Sequence, residues 1–539
     1  MKIPKAGKKF LPQAENYRGH YLMHKYWSKK PHNIFVYLLE QYSKSGDTVL
    51  DPFCGSGVSI FEGWIRGRKM IGIDLNPMAI FLTQTLCKLV DLDVFQQAFI
   101  QLKEVSLPQI LKYYTTSCPT CGQTALGTHY LWNHGNCTLI KFRCQSCGQQ
   151  EKLPDKGDLE LITKIEKSSI THWYPDFDLL ENSRLCISKP MKIKDFFTKR
   201  NLICLTILFE RIQQISDESI RKLMQFVFTG SLGQTSKMVF AIKQRNKLKR
   251  TTTSSSSKVE VGSWVAGFWI PQEHFEINVW NCFEHRYKKV LHGKKQTNKL
   301  IQSSSPSPND LNIHLSSATD LSFIPDLSID FVLTDPPYGD SVPFLELSQL
   351  WASWLNFPLD FEREIIISNS RQRNKNFKRY KEELETAFHE IFKKVKKGGY
   401  MCLTFNNLKG NTWNAILSAC LSAGFVFQDV TSFRPSAGSV IQDSRINALK
   451  ADALLTFKKP KKNYRSITLK ISNEAQVVEL IVKTLTQILK DHPQGLTTTD
   501  IVRIIIETLI KQQIFNEKID FLQILKTNFH QQKGRWRSI

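Results

Sequence analysis

Two short apolar runs, more than half the chain apart, each stop at an aspartate followed by a turn. Thr48-Val49-Leu50-Asp51 opens into Pro52-Phe53-Cys54-Gly55-Ser56-Gly57, and Ile329-Asp330-Phe331-Val332-Leu333-Thr334 opens into Asp335-Pro336-Pro337-Tyr338. Such runs read as buried strands of a parallel sheet. Helical spacing follows the first run at 58–65, and Lys69-Met70-Ile71-Gly72-Ile73-Asp74 reads as a second strand. Pro77 then suits a first helical turn, with Asn76 as its cap. The βαβα alternation predicts an α/β fold with helices on both faces of the sheet. Folding would then bring the two distant turns together on one rim of the sheet.

The 539 residues allow two to four domains. Residues 1–90 hold the first strands, with an amphipathic helix expected to end near Tyr42. At 91–310 the alternation breaks. This insertion contains paired cysteines within about 115–150, a helical stretch at 195–230, a Thr/Ser tract at 251–257, an aromatic-rich segment at 262–290 and an exit linker at 303–308. The sheet resumes in 311–460, with a helix at 380–395, a Gly398-Gly399 turn, a strand at 400–405, a helix at 413–423 and strands near 426–430 and 453–457. Residues 466–539 read as a small helical or winged-helix module, clearest at 476–489 and 499–510.

Lysine and arginine number 73 against 49 acidic residues, a formal charge of +24. Basic runs fall at 243–250, 286–299, 371–381 and 458–465. The excess favours a polyanionic partner, foremost nucleic acid. No signal peptide opens the chain and no apolar stretch is long enough to span a membrane, so the expectation is a cytoplasmic protein. The 12 cysteines then read as thiols and a metal site rather than disulfides.

Gly55 and Gly57 permit positive backbone angles and a close ligand approach. The helix after them offers free N–H groups. Asp74, at the end of the next strand, can accept hydrogen bonds from ribose hydroxyls. The loop lacks the G-x-G-x-x-G of dinucleotide sites. An Asp-Pro-Phe-Cys-Gly-Ser-Gly turn instead suits S-adenosylmethionine, which has no phosphate to cradle.

Asp335-Pro336-Pro337-Tyr338 suits an exocyclic base amine, a poor nucleophile with a delocalised lone pair. The carboxylate and a backbone carbonyl can each accept one N–H, the prolines stiffen the turn, and Tyr338 can stack on the base. Catalysis would rest on positioning and on stabilising developing charge.

Cys118-x-x-Cys121 and Cys144-x-x-Cys147, each followed by a glycine, predict a closed tetrahedral zinc site of structural type. Cys137 is not expected to be a ligand, and His129 and His134 are expected to be exposed. The aromatic residues Trp264, Phe268, Trp269, Phe275, Trp280 and Phe283 read as an insertion core.

Taken with their order, these motifs resemble the amino-methyltransferase family, the DNA N6-adenine and N4-cytosine methylases, over residues 20–90 and 310–460. The resemblance implies a Rossmann-like seven-stranded sheet with S-adenosylmethionine across its C-terminal edge. It implies that Asp51, Phe53, Gly55, Gly57 and Asp74 touch the donor, and that Asp335, Pro336, Pro337 and Tyr338 hold the target amine. The segment 25–31 is similar to the stretch near the methionine end of the donor. Where the family often carries an acidic residue near the donor adenine, Asp320 is the substitute here. DNA is the expected partner, in a nucleoid or restriction–modification setting with any nuclease on a separate chain. Adenine N6 is the leading target. Cytosine N4, guanine N2 of RNA, and a catalytically silent nucleic-acid-binding protein are the alternatives.

Overall fold

The computed structural model describes residues 11–17, 19–243, 259–265, 267–434, 449, 451–462, 470–532 and 534–538. The basic run at 244–250, the tract at 251–257 and the end of the run at 458–465 lie outside them.

A seven-stranded sheet organises the chain. Its strands are β1 (Thr48–Asp51), β2 (Lys69–Asp74), β8 (Leu311–Leu315), β9 (Ile329–Thr334), β10 (Val395–Phe405), β11 (Val426–Phe433) and β12 (Asp452–Lys458). They lie in the order β8-β2-β1-β9-β10-β12-β11. The first five run parallel, and β12 is antiparallel to both β10 and β11. This is the predicted Rossmann-like α/β sheet.

Successive strand residues face opposite sides of the sheet. Val49 and Phe331 enter one apolar core with Ile34, Leu38 and Phe61, while Leu50 and Val332 enter the other with Phe388 and Ile416. The first face is covered by α1 (His32–Tyr42), α2 (Val58–Trp64) and α3 (Pro77–Cys87), whose Asn76 cap accepts from the Met78 N–H. After the Asp335-Pro336-Pro337-Tyr338 turn comes α9 (Phe344–Ala352), and the second face is covered by α10 (Phe377–Lys394) and α11 (Gly410–Ser422).

Between α3 and β8 lie α4 (Leu92–Leu111) and a five-stranded antiparallel sheet. Its strands are β3 (Thr115–Ser117), β4 (Thr124–Asn133), β5 (Asn136–Cys144), β6 (Gly148–Lys152) and, from far along the chain, β7 (Glu273–Ile277) beside β4. The expected single helical stretch at 195–230 is two helices, α6 (Lys199–Gln213) and α7 (Glu218–Thr235), preceded by α5 (Lys156–Lys167). Buried Glu276 of β7 ties the small sheet to α6 through Arg200 at 3.4 Å and Thr198 at 2.6 Å. Of the aromatic group, Trp264, Phe268, Phe275, Trp280 and Phe283 are core residues, but Trp269 is 56% exposed.

Two expected turns are corrected. Helix α8 (Val279–Ser304) runs into the supposed exit linker. Gly398-Gly399 is not a helix-to-strand turn: β10 starts at Val395, and its pairing with β9 jumps from Val395 to Tyr400, so the glycines sit in a bulge.

The C-terminal segment contains α12 (Glu474–Lys490), β13 (Leu496–Thr497), α13 (Thr498–Gln512), α14 (Phe521–Asn528), β14 (His530–Gln532) and β15 (Arg535–Arg537). The three short strands pair antiparallel in the order β13-β15-β14. A helix–strand–helix–helix–hairpin of this order is a winged helix. Its core residues Val477, Ile505 and Trp536 belong to the same apolar cluster as Leu455 and Phe457 of the large sheet. Among the described residues, no helix is long and apolar enough to cross a membrane.

Candidate active site

β1 and β9 are neighbours, with Leu50 opposite Val332. Their following turns therefore emerge side by side at the C-terminal edge of the sheet, where ligands of open α/β folds bind. They line one cavity of about 890 Å³, its open mouth included. Asp51, Phe53, Gly55 and Asp74 line it from one side and Asp335 and Pro337 from the other. Ser28, Lys29 and Lys30 reach it from the segment before α1.

The loop after β1 is held by its own polar groups. The Asp51 carboxylate accepts the Phe53 N–H at 3.1 Å and the Ser59 hydroxyl. Burial pushes its pKa up to about 7, against these stabilising bonds. Asp74 accepts the Gly55 N–H and the Asn76 N–H, each at 2.9 Å, so it fixes both the loop and the start of α3. Burial raises it to about 6. Each carboxylate oxygen has a second lone pair for a ligand hydroxyl. Gly57 caps α2 at φ +79°, and a Cβ there would lie 2.5 Å from Thr83. It shapes the loop from behind rather than lining the cavity.

At the second turn, the Asp335 carboxylate accepts the hydroxyls of Tyr338 and Thr404, and Lys30 Nζ lies 3.4 Å away. Burial raises the Asp335 pKa, and Lys30 opposes that rise. Lys30 is itself 94% buried, 2.8 Å from Asp452 and 4.9 Å from the Tyr338 ring centroid. Burial alone would lower its pKa, but Asp335 and Asp452 outweigh that and hold it well above the usual lysine value. Asp335 follows β9, Thr404 lies on β10 and Asp452 opens β12, so one ammonium group bridges carboxylates across three adjacent strands.

The backbone of the turn is equally fixed. The Tyr380 hydroxyl donates to the Pro337 carbonyl at 2.7 Å, and Asn407 donates to the Tyr338 carbonyl at 3.1 Å. Among the described hydrogen bonds, none ends on the Pro336 carbonyl. The Tyr338 ring is half-buried, edge-on to Phe405 at 5.0 Å.

The remaining predicted donor residue lies elsewhere. Asp320 is exposed and accepts the Ser322 N–H at 3.2 Å, while Ser317 and Ala318 line the cavity. The Ser316 N–H bonds the Asp74 carbonyl at 3.2 Å, and the turn beyond it carries Asp320 out to solvent. The carboxylate that does line the cavity from an unpredicted place is Glu364, held 2.7 Å from Arg373. Lys30 lies within segment 25–31, which the family resemblance already placed near the donor, whereas Thr404 and Asp452 were not singled out by sequence. Their one signal was position: Thr404 lies near the end of a predicted strand and Asp452 immediately before another.

The four cysteines converge as expected. Their sulfur atoms lie within 4.8 Å of one another, with Cys121 and Cys144 3.6 Å apart. Tetrahedral zinc with bonds of about 2.3 Å sets sulfurs about 3.8 Å apart, so the donor set fits that ion. Gly122 and Gly148 take φ of +74° and +76° at the knuckles. Cys137 and the exposed His134 lie outside the cluster; His129, expected exposed, is half-buried on β4, and burial lowers its pKa to about 4.

The sequence matches the family described as DNA methylase, of N6/N4 type, at residues 7–84 and 329–529, just over half the chain. The chain belongs to this DNA methylase family. The unmatched interval contains the small antiparallel sheet and helices α4 to α8. A similar protein, the Type II methyltransferase M.MvaI of Kocuria varians, is 21% identical over 335 residues, 61% of this chain and 56% of that protein. The chain thus spans about half the length of that relative. A 33-residue stretch is 52% identical to a Methanothermococcus thermolithotrophicus protein assigned as a tRNA (guanine(10)-N2)-dimethyltransferase, covering 6% of this chain and 20% of that one. Among solved structures, a Thermus thermophilus protein assigned as a DNA modification methylase, in complex with S-adenosyl-L-methionine, aligns with a TM-score of 0.17 and 16% identity over 30% of this chain and 63% of that one.

Proposed function

We propose that the protein methylates the exocyclic amine of a DNA base, foremost adenine N6, with S-adenosylmethionine as donor. The observation that supports this most is the shared cavity. Asp51 and Asp74, at the ends of β1 and β2, face it from one side and Asp335 from the other. Asp51, Phe53, Gly55 and Asp74 would hold the donor, which supplies an electrophilic methyl group on sulfur. Gly57 keeps their loop in shape.

On the acceptor side, the Asp335 carboxylate would take one N–H of the amine and the free Pro336 carbonyl the other. Both bonds strengthen as positive charge grows on nitrogen, so they favour the transition state over the bound substrate. Lys30 and Thr404 favour the ionised form of Asp335 against the effect of burial, and they aim its carboxylate. Tyr338 would have to release its bond to Asp335 if its ring is to stack on the base. A base within a duplex cannot reach this cavity, so the target must leave the stack, at a cost of roughly a few kcal/mol. The four-cysteine zinc site would hold the small sheet together and take no part in the chemistry.

The test is Asp335→Ala. Donor affinity by calorimetry should stay within about threefold, while transfer of tritiated methyl to DNA falls at least about 100-fold. Equal loss of both would make Asp335 a structural residue. Running the transfer on RNA in parallel separates the guanine-N2 alternative.

A further inference from the structure

We infer that the winged helix grips duplex DNA beside the target base, with the exposed side of α14 and the β14–β15 hairpin against the phosphates. This rests on the DNA-methylating reading above. Three observations carry it.

The first is placement. The Ile519 carbonyl accepts the Gly410 N–H at 3.0 Å, and a Cβ on Gly410 would come within 2.3 Å of that oxygen. Only glycine allows this approach. Glu517 is gripped by Lys381 at 2.8 Å and Asn414 at 2.9 Å. Lys409 pairs through its backbone with Asp520, the cap of α14, and through Nζ with Asp340 at 2.9 Å, two residues beyond Tyr338. The start of α14 is therefore built onto the rim of the catalytic turn.

The second is charge. From Lys518 to Ser538, the sole carboxylate is Asp520, and it is spent on capping α14 through the Gln523 N–H. Lys518, Lys526, Arg535 and Arg537 are exposed, and none has a carboxylate within ion-pair distance among the described residues. Unpaired cations on one exposed surface suit a polyanion.

The third is shape. α14 buries Phe521, Ile524 and Leu525 and presents Gln523, Lys526 and Thr527, which share one face at helical spacing. A short helix with a polar outer face, flanked by a basic hairpin, fits a DNA groove and its backbone. An enzyme that extracts a base needs such a hold on the neighbouring duplex.

The experiment measures binding of the full chain, with S-adenosylhomocysteine present, to a mixed-sequence duplex of about 40 base pairs by fluorescence anisotropy between 50 and 200 mM salt, a window in which phosphate contacts dominate. Lys526→Ala/Arg535→Ala/Arg537→Ala should bind about 10- to 100-fold more weakly at the lower salt. Its salt slope should fall by two to three units, about 0.9 per phosphate contact. Because Arg535 also donates to the Gly495 carbonyl at 2.9 Å, Lys526→Glu/Arg537→Glu serves as the second variant, and it should weaken binding at least as far with an unchanged melting temperature. Unchanged affinity and slope in both variants, with wild type methylating duplex DNA, would overturn this inference and leave the methylase reading standing. Weakened binding to single-stranded RNA with duplex binding intact would also overturn it. Wild type that neither binds nor methylates duplex DNA would instead remove the reading beneath it.

Discussion

Lys30 shows how one side chain can set the chemistry of its neighbour. It lies 3.4 Å from Asp335 and opposes the rise that burial imposes on that carboxylate. Removing the ammonium group lets the Asp335 pKa climb further, and on the proposed mechanism transfer would need the ionised form. In Lys30→Met the acid limb of the kcat/KM profile should therefore move to higher pH, with activity at neutral pH down about 10- to 100-fold and partly recovered in alkaline buffer. Lys30→Arg should recover more. A uniform loss at every pH would reduce Lys30 to a packing role. Asp51 illustrates the opposite sign. Burial raises it to about 7, so the folded apo protein takes up a proton that the unfolded chain releases. Its contribution to stability is lost as pH rises through 7. Asp51→Asn should melt higher than wild type at pH 8, with a smaller gain at pH 6, while donor affinity falls. Sequence exposed Asp51, Asp74 and Asp335 because each ends an apolar run. It did not expose Glu364, which comes from an irregular segment, and it misplaced Asp320, because the direction in which a chain leaves a strand is set by tertiary packing rather than by residue type.

Among the elements, the large sheet was legible where burial on both faces leaves unbroken apolar runs, as in β1 and β9, and where Asn76 caps α3. The small sheet was legible only as cysteine spacing. Its fifth strand, β7, pairs with β4 across more than a hundred residues, and no local pattern announces such a partner. Nor does spacing separate α6 from α7, since apolar residues run through both. The cysteine cluster gives the clearest prediction at this scale. The purified protein should hold about one zinc per chain, and four-coordinate cobalt should substitute with a thiolate charge-transfer band. Stripping with a chelator, or Cys144→Ser, should increase protease cleavage within 115–152, because a bound zinc would supply much of the local folding energy. Donor affinity should change less than about threefold, since none of the four clustered cysteines lines the cavity. A metal-free protein with the same cleavage pattern would make the cluster four ordinary thiols.

Across the whole molecule, function depends on one topological fact. The chain leaves its sheet after β2 and α3, builds the small sheet and helices α4 to α8, and returns through β8 to place β9 against β1. Sequence could state the two motifs and their order, but their adjacency comes from strand pairing at the centre of the sheet. The arrangement sets the loop after β1 beside the Asp335-Pro336-Pro337-Tyr338 turn, and among the described residues none of the intervening segment lines the cavity. Methylating DNA with a donor labelled at the methyl group, digesting it to nucleosides and identifying the labelled species tests this most directly. Label is expected on an exocyclic nitrogen, in N6-methyldeoxyadenosine, and none with Asp335→Ala. Label on a ring carbon, or transfer by Asp335→Ala at the wild-type rate, would contradict it.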